Sequence, residues 1–174
     1  MAQQGLLSNF ALDLGFQVAG WAVACLIRSE RYYDITGSLT FLTLAARSLL
    51  AAGGAAAHPR SLALSAAVGV WAARLGTFLA ARIHRDGGRD SRFDTVRSSP
   101  PKFLVFWLIQ GVWVFLTSLP LLLLNGQSGP LQPSLRWTDL AGASPWDAAA
   151  HTPPLHSRPA LRCPRLARRG AAGW

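Results

Sequence analysis

Six basic side chains, Arg82, Arg85, Arg89, Arg92, Arg97 and Lys102, lie among aspartates and glycines in the stretch RIHRDGGRDSRFDTVRSSPPK. Guanidinium groups are planar, permanently charged forks that can grip a phosphate through two parallel hydrogen bonds. A face built from them suits the pyrophosphate or 2′-phosphate of NADPH. Arg82, Arg92 and Arg97 are the candidate contacts, with Asp90 and Asp94 as carboxylates that orient the forks. The alternative is a solvated, internally ion-paired loop whose charge only marks membrane topology. Asp34 is a further candidate, either as an acid at the same mouth or as a helix cap, and Thr36 and Ser38 share the capping role.

Other familiar chemistries are not indicated. No glycine-rich dinucleotide fingerprint follows a strand, and no HExxH, CxxC or GxSxG pattern occurs. The two cysteines, Cys25 and Cys163, support neither a disulfide framework nor a thiolate metal site.

The elements that must position the basic stretch are apolar. Hydrophobic residues make up 51% of the 174-residue chain and charged residues 14%, and the apolar ones are gathered in long runs. A helix needs about 20 mostly apolar residues to cross a bilayer core. Four runs meet or approach this length: 9–27, 35–57, 61–81 and 103–124. The last is the clearest, with no charge and a single glutamine. The second is the weakest, because Gly53 and Gly54 interrupt it and Arg47 lies inside it. The flank MAQQGLLSN has no basic residue to open a secretory signal, so the first run is expected to be a retained helix. The fold class expected is all-α, a polytopic transmembrane helix bundle of about four spans over residues 1–144. Residues 145–174, rich in proline and arginine, are expected to be a disordered tail.

The net charge of +9 does not read as nucleic-acid binding. Six of the basic residues sit between the third and fourth runs, and five more (Arg158, Arg162, Arg165, Arg168, Arg169) lie near the end. Short loops rich in Lys and Arg stay cytosolic, which places the 82–102 loop, Arg28 and Arg31 on that side and both termini on the other. Three ionisable residues, Asp13, Arg47 and Arg74, fall inside apolar runs. Pairing of Asp13 with Arg47 or Arg74 across helices would offset the cost of burial. Trp21, Tyr32, Tyr33, Trp107 and Trp113 are expected in an interfacial belt or against lipid, the other possibility being an aromatic ring around a flat apolar ligand.

Three segments carry a family resemblance: YYDITGSLTFLT at Tyr32–Thr43, WAARLGTFLAARIHRDGGRDSRFD at Trp71–Asp94, and KFLVFWLIQGVWVF at Lys102–Phe115. In this order they resemble the membrane-embedded group allied to the steroid 5-alpha-reductase family. The resemblance implies an all-helical fold of six or seven spans in the endoplasmic reticulum or another organellar membrane, binding NADPH from the cytosolic side. It also implies reduction of a carbon–carbon double bond conjugated to a carbonyl, in a steroid- or lipid-like substrate. Relatives continue into a His-Pro-Asn-Tyr-like segment that helps hold the cofactor. This chain departs from the pattern near Ser144, as a truncated or frame-shifted form would, and no residue here inherits those roles. A non-catalytic membrane remnant or interaction subunit therefore stands beside the reductase reading. A transporter is the weakest reading, because three scattered charges make no relay.

Overall fold

The apolar runs fold as helices because a backbone in hydrocarbon must satisfy its own N–H and C=O groups. The computed structural model describes residues 2–85, 93, 96 and 99–127. All of them lie in the first of two units, Met1–Arg136 and Trp137–Trp174. Asp90, Arg92, Asp94 and Arg97 lie outside the described residues, as does the segment 145–174.

The described residues are all-helical: α1 (Ala2–Ile27), α2 (Tyr33–Ala51), a 3₁₀ turn (Gly54–Ala56), α3 (Pro59–Arg85) and α4 (Pro100–Asn125). Gly5–Ile27, Pro59–Arg85 and Pro100–Asn125 are long and apolar enough to cross a membrane. The chain is an integral membrane protein.

The second run, already the weakest of the four expected spans, ends short of its expected bounds of 35–57 and is not among the helices apolar enough to cross. The helix stops at Ala51, and Gly53 and Gly54 take φ of 114° and 59°, left-handed values open to glycine, before the 3₁₀ turn. At 19 residues, α2 rises about 28 Å, roughly the thickness of a bilayer core. Its composition is the exception, with Asp34, Thr36, Ser38, Thr40, Thr43, Arg47 and Ser48. The physical reason is position. α2 packs against α1, α3 and α4, so much of its surface meets protein and its polar side chains find partners there.

Hydrogen bonds between helices fix an up-and-down order. The Trp21 indole N–H donates to the Pro100 carbonyl at 3.1 Å, and the Tyr33 hydroxyl donates to the Phe106 carbonyl at 3.0 Å. At the opposite end, Asn125 Nδ2 donates to Ser48 Oγ at 2.9 Å and Ser65 Oγ at 3.1 Å, tying three helices together. The end where α1 and α3 finish and α2 and α4 begin holds Arg28, Arg31, Arg82, Arg85 and Lys102, and is called the basic end below.

Two apolar clusters fill the interior. Phe41, Leu44, Ala72, Val114 and Leu122 form one, and Ala24, Phe93, Phe103 and Trp107 form the other at the basic end. Trp107 is fully buried, with its ring against Gly20, where any Cβ would overlap it. Exposed Leu7, Val18, Leu26, Val70, Val105, Ile109 and Leu116 give the helices the outward apolar faces that lipid requires.

α1 ends in a Schellman turn: Ser29 N–H bonds to the Ala24 carbonyl and Arg28 N–H to the Cys25 carbonyl. Arg28 occupies the left-handed position, with φ of 51°, that glycine usually fills. Arg28→Gly is expected to stabilise the folded protein by about 0.5 kcal/mol, read as a higher midpoint of thermal unfolding in detergent; a lower midpoint would refute the strain.

Candidate functional site

α3 and α4 both lean on α2 but touch each other little. The gap between them is a cleft of about 330 Å³, floored by α2. This is the lower end of the size range of small-molecule pockets. Tyr33, Asp34 and Arg82 form its mouth at the basic end. Gly37, Ser38 and Gln110 lie along its middle, and Phe41, Leu75, Leu79, Ile109 and Trp113 supply apolar walls.

Arg82 closes the last turn of α3 and Asp34 opens the first turn of α2, so the antiparallel register brings them level. Arg82 Nη2 donates to Asp34 Oδ2 at 3.0 Å, and the side chains are 35% and 17% exposed, so the pair is only partly shielded from solvent. The capping expectation is corrected here. The N-cap of α2 is Tyr32, which makes no side-chain cap bond, while the Thr36 and Ser38 hydroxyls donate back to the Tyr32 and Asp34 carbonyls at 2.7 and 3.2 Å. The helix starts too early for these residues to precede it. Asp34 instead lies in the first turn, where a carboxylate also suits the positive end of the helix dipole.

A ladder of polar side chains runs behind the cleft. Gln17 Nε2 donates to Asp13 Oδ1 at 3.2 Å and to Thr40 Oγ1 at 3.3 Å. Gln110 Nε2 donates to Gln17 Oε1 at 3.3 Å and to the Tyr33 carbonyl at 3.0 Å. Asp13, Gln17 and Thr40 are fully buried. Gly37 permits this crossing: a Cβ there would come within 2.7 Å of Gln110 Nε2. The expected pairing of Asp13 with Arg47 or Arg74 does not form. Arg47 donates to Asn9 Oδ1 at 2.9 Å and Ser8 Oγ at 3.0 Å, because the register sets it beside Asn9, one helical turn from Asp13.

The aromatic expectation divides. Trp113 and Tyr32 are about half exposed. Trp107 is in the core, edge-on to Tyr33 with ring centroids 5.0 Å apart. Tyr33 also meets Phe93 edge-on at 4.8 Å, and Phe93 meets Phe103 at 5.4 Å and Phe106 at 5.6 Å. Phe93, the chain neighbour of Arg92 and Asp94, is thus buried at the basic end. Of the five sequence-derived site residues, Arg82 is described, and it lines the cleft mouth. Sequence reasoning missed Gln17, Gln110 and Phe93 as site-building residues. The one available signal was Gln110 itself, a lone glutamine among 22 otherwise uncharged, largely apolar residues at 103–124.

Among the described residues, no group of three or more His, Cys, Asp or Glu side chains could hold a metal. These features define an all-helical integral membrane protein with a partly polar cleft between helices. The chain belongs to the family DUF1295, a protein family of unknown function, which matches residues 20–149 and so takes in all of α2, α3 and α4. No curated protein and no solved structure matches it.

Proposed function

We propose that the chain is a reductase-like protein of an organellar membrane, such as the endoplasmic reticulum, whose cleft receives an apolar, steroid- or lipid-like molecule beside an NADPH held at the basic end. The observation that carries this reading is the polarity gradient of the cleft, from the Asp34–Arg82 mouth to the Phe41, Leu75 and Trp113 walls. The resemblance of the three sequence segments to the steroid 5-alpha-reductase group supplies the reaction class.

The donor set suits the phosphates of the cofactor. Arg82, Arg85 and Lys102 share one end, and Asp34 holds Arg82 in a fixed direction. When bound, NADPH would supply hydride to the conjugated double bond. Arg82 would orient the anionic end, while Phe41, Leu75, Leu79, Ile109 and Trp113 would exclude water from the substrate skeleton. Asp34 acts here as a positioning carboxylate.

The test is titration of the intact protein in lipid nanodiscs with NADPH, followed by turnover of a sterol-type α,β-unsaturated ketone. Arg82→Ala is expected to weaken NADPH binding by about tenfold or more, as loss of a charge-assisted hydrogen bond predicts, with Arg82→Lys recovering only part. Arg92→Ala, in the same basic stretch, is expected to act in the same direction. Unchanged affinity in the variants would remove these residues from the site, and no NADPH binding by the unmodified protein would overturn the cofactor reading. A second reading, a membrane protein that binds an apolar ligand without reducing it, is favoured by the engagement of Asp34 with Arg82; binding of the ketone without NADPH oxidation would select it.

A further inference from the structure

The polarity of the ladder behind the cleft is dictated link by link. The Thr40 hydroxyl donates to the Thr36 carbonyl at 2.8 Å, so its oxygen can only accept from Gln17. That requires the Gln17 amide nitrogen to face Thr40 and leaves Gln17 Oε1 as the atom toward Gln110. Gln110 must therefore present its nitrogen to Gln17. The Tyr33 carbonyl, which can only accept, demands the same nitrogen at 3.0 Å. Both amide hydrogens of Gln110 are thereby committed. Its Oε1 has no partner among the described residues, and Gln110 lines the cleft.

We propose that Gln110 Oε1 is a specificity-determining acceptor that selects ligands carrying a hydroxyl group on an apolar skeleton. The inference rests on the reading of the cleft as a binding site for an apolar molecule, and adds a hydroxyl that the ligand must present to Gln110, at a different place on the skeleton from the conjugated carbonyl that reduction requires. A ketone or ether oxygen placed against Gln110 would oppose one acceptor to another, whereas a hydroxyl would donate. Ile109 and Trp113 flank Gln110 on α4, and Phe41 of α2 and Leu75 of α3 line the same cleft, so the skeleton around that hydroxyl is apolar. A sterol and a long-chain alcohol share this chemistry. The rigid, fused skeleton of the first and the flexible chain of the second are separated by testing one of each.

The experiment measures equilibrium binding to the full chain in nanodiscs of matched probes: a sterol 3-alcohol, its 3-methyl ether and its 3-ketone, and a C18 alcohol with its methyl ether. The alcohols are expected to bind at least about fivefold more tightly than their ethers, and the sterol alcohol likewise than its ketone. Gln110→Leu is expected to erase that discrimination while still binding all the probes. The wild-type comparison needs no variant, so a misfolded Gln110→Leu leaves the test intact. If alcohol, ether and ketone bind alike, or the preference survives Gln110→Leu, the assignment of Gln110 is overturned and the apolar cleft stands. If no probe binds, the cleft reading itself falls.

Discussion

Gly20→Leu is expected to destabilise the protein by about 3 kcal/mol, because the new side chain would occupy the space of the Trp107 ring. Trp107 has little room to retreat. It is fully buried against Ala24 and Phe103, with the Tyr33 ring edge-on beside it. Moving it would disturb the cluster that also contains Phe93, so the loss should spread through the basic end. The check is the thermal unfolding midpoint in detergent together with near-ultraviolet circular dichroism, which reports the packing of aromatic rings. Gly20→Leu with Trp107→Ala should recover part of the loss. An unchanged midpoint in the single variant would show that α1 and α4 do not approach this closely.

Gln17→Leu should be of similar size, about 3 kcal/mol, for a different reason. It removes three side-chain hydrogen bonds, each worth about 0.6 to 1.7 kcal/mol within a membrane bundle, and strips the buried Asp13 of its hydrogen-bond donor. Leaving a buried polar group alone costs more than removing both partners. Asp13→Leu combined with Gln17→Leu should therefore be more stable than Gln17→Leu alone. A double-mutant cycle from unfolding midpoints reads this directly, and additive losses would refute the coupling.

The two variants also mark the limits of what could be read from sequence. Long apolar runs disclose helices because length and hydropathy act locally, and α1, α3 and α4 fall where those runs do. Gly53 and Gly54 likewise announce the end of α2. Which helix stands at the centre is not local information. α2 looked weakest because Gly53 and Gly54 interrupt its run and Arg47 lies inside it, yet Arg47, with hydroxyls such as Thr40 and Ser48, is among the groups through which it meets its neighbours. Arg82 stood out by charge and Asp34 as a candidate at the same mouth, but their pairing across 48 residues became visible only once the register was known. Gln110 was conspicuous as a glutamine in an apolar run, yet its direction depends on Thr36, Thr40 and Gln17. Phe93 gave no signal within a loop read for its arginines.

The centrality of α2 also bears on how the protein comes to be in the membrane at all. A translocon that assesses segments one at a time would favour α1, α3 and α4, whereas each Asp or Arg can cost up to about 3 kcal/mol near a helix centre. Asp34, Arg47 and five intervening or adjoining hydroxyl residues make α2 a poor passenger by itself. Its most extensive packing partner, α3, is synthesised after it. Residues 33–51 would thus wait at the channel or the interface until α3 emerges, then enter as a hairpin. For this segment, residence in the hydrocarbon would depend on its neighbours, the most extensive of which is made after it.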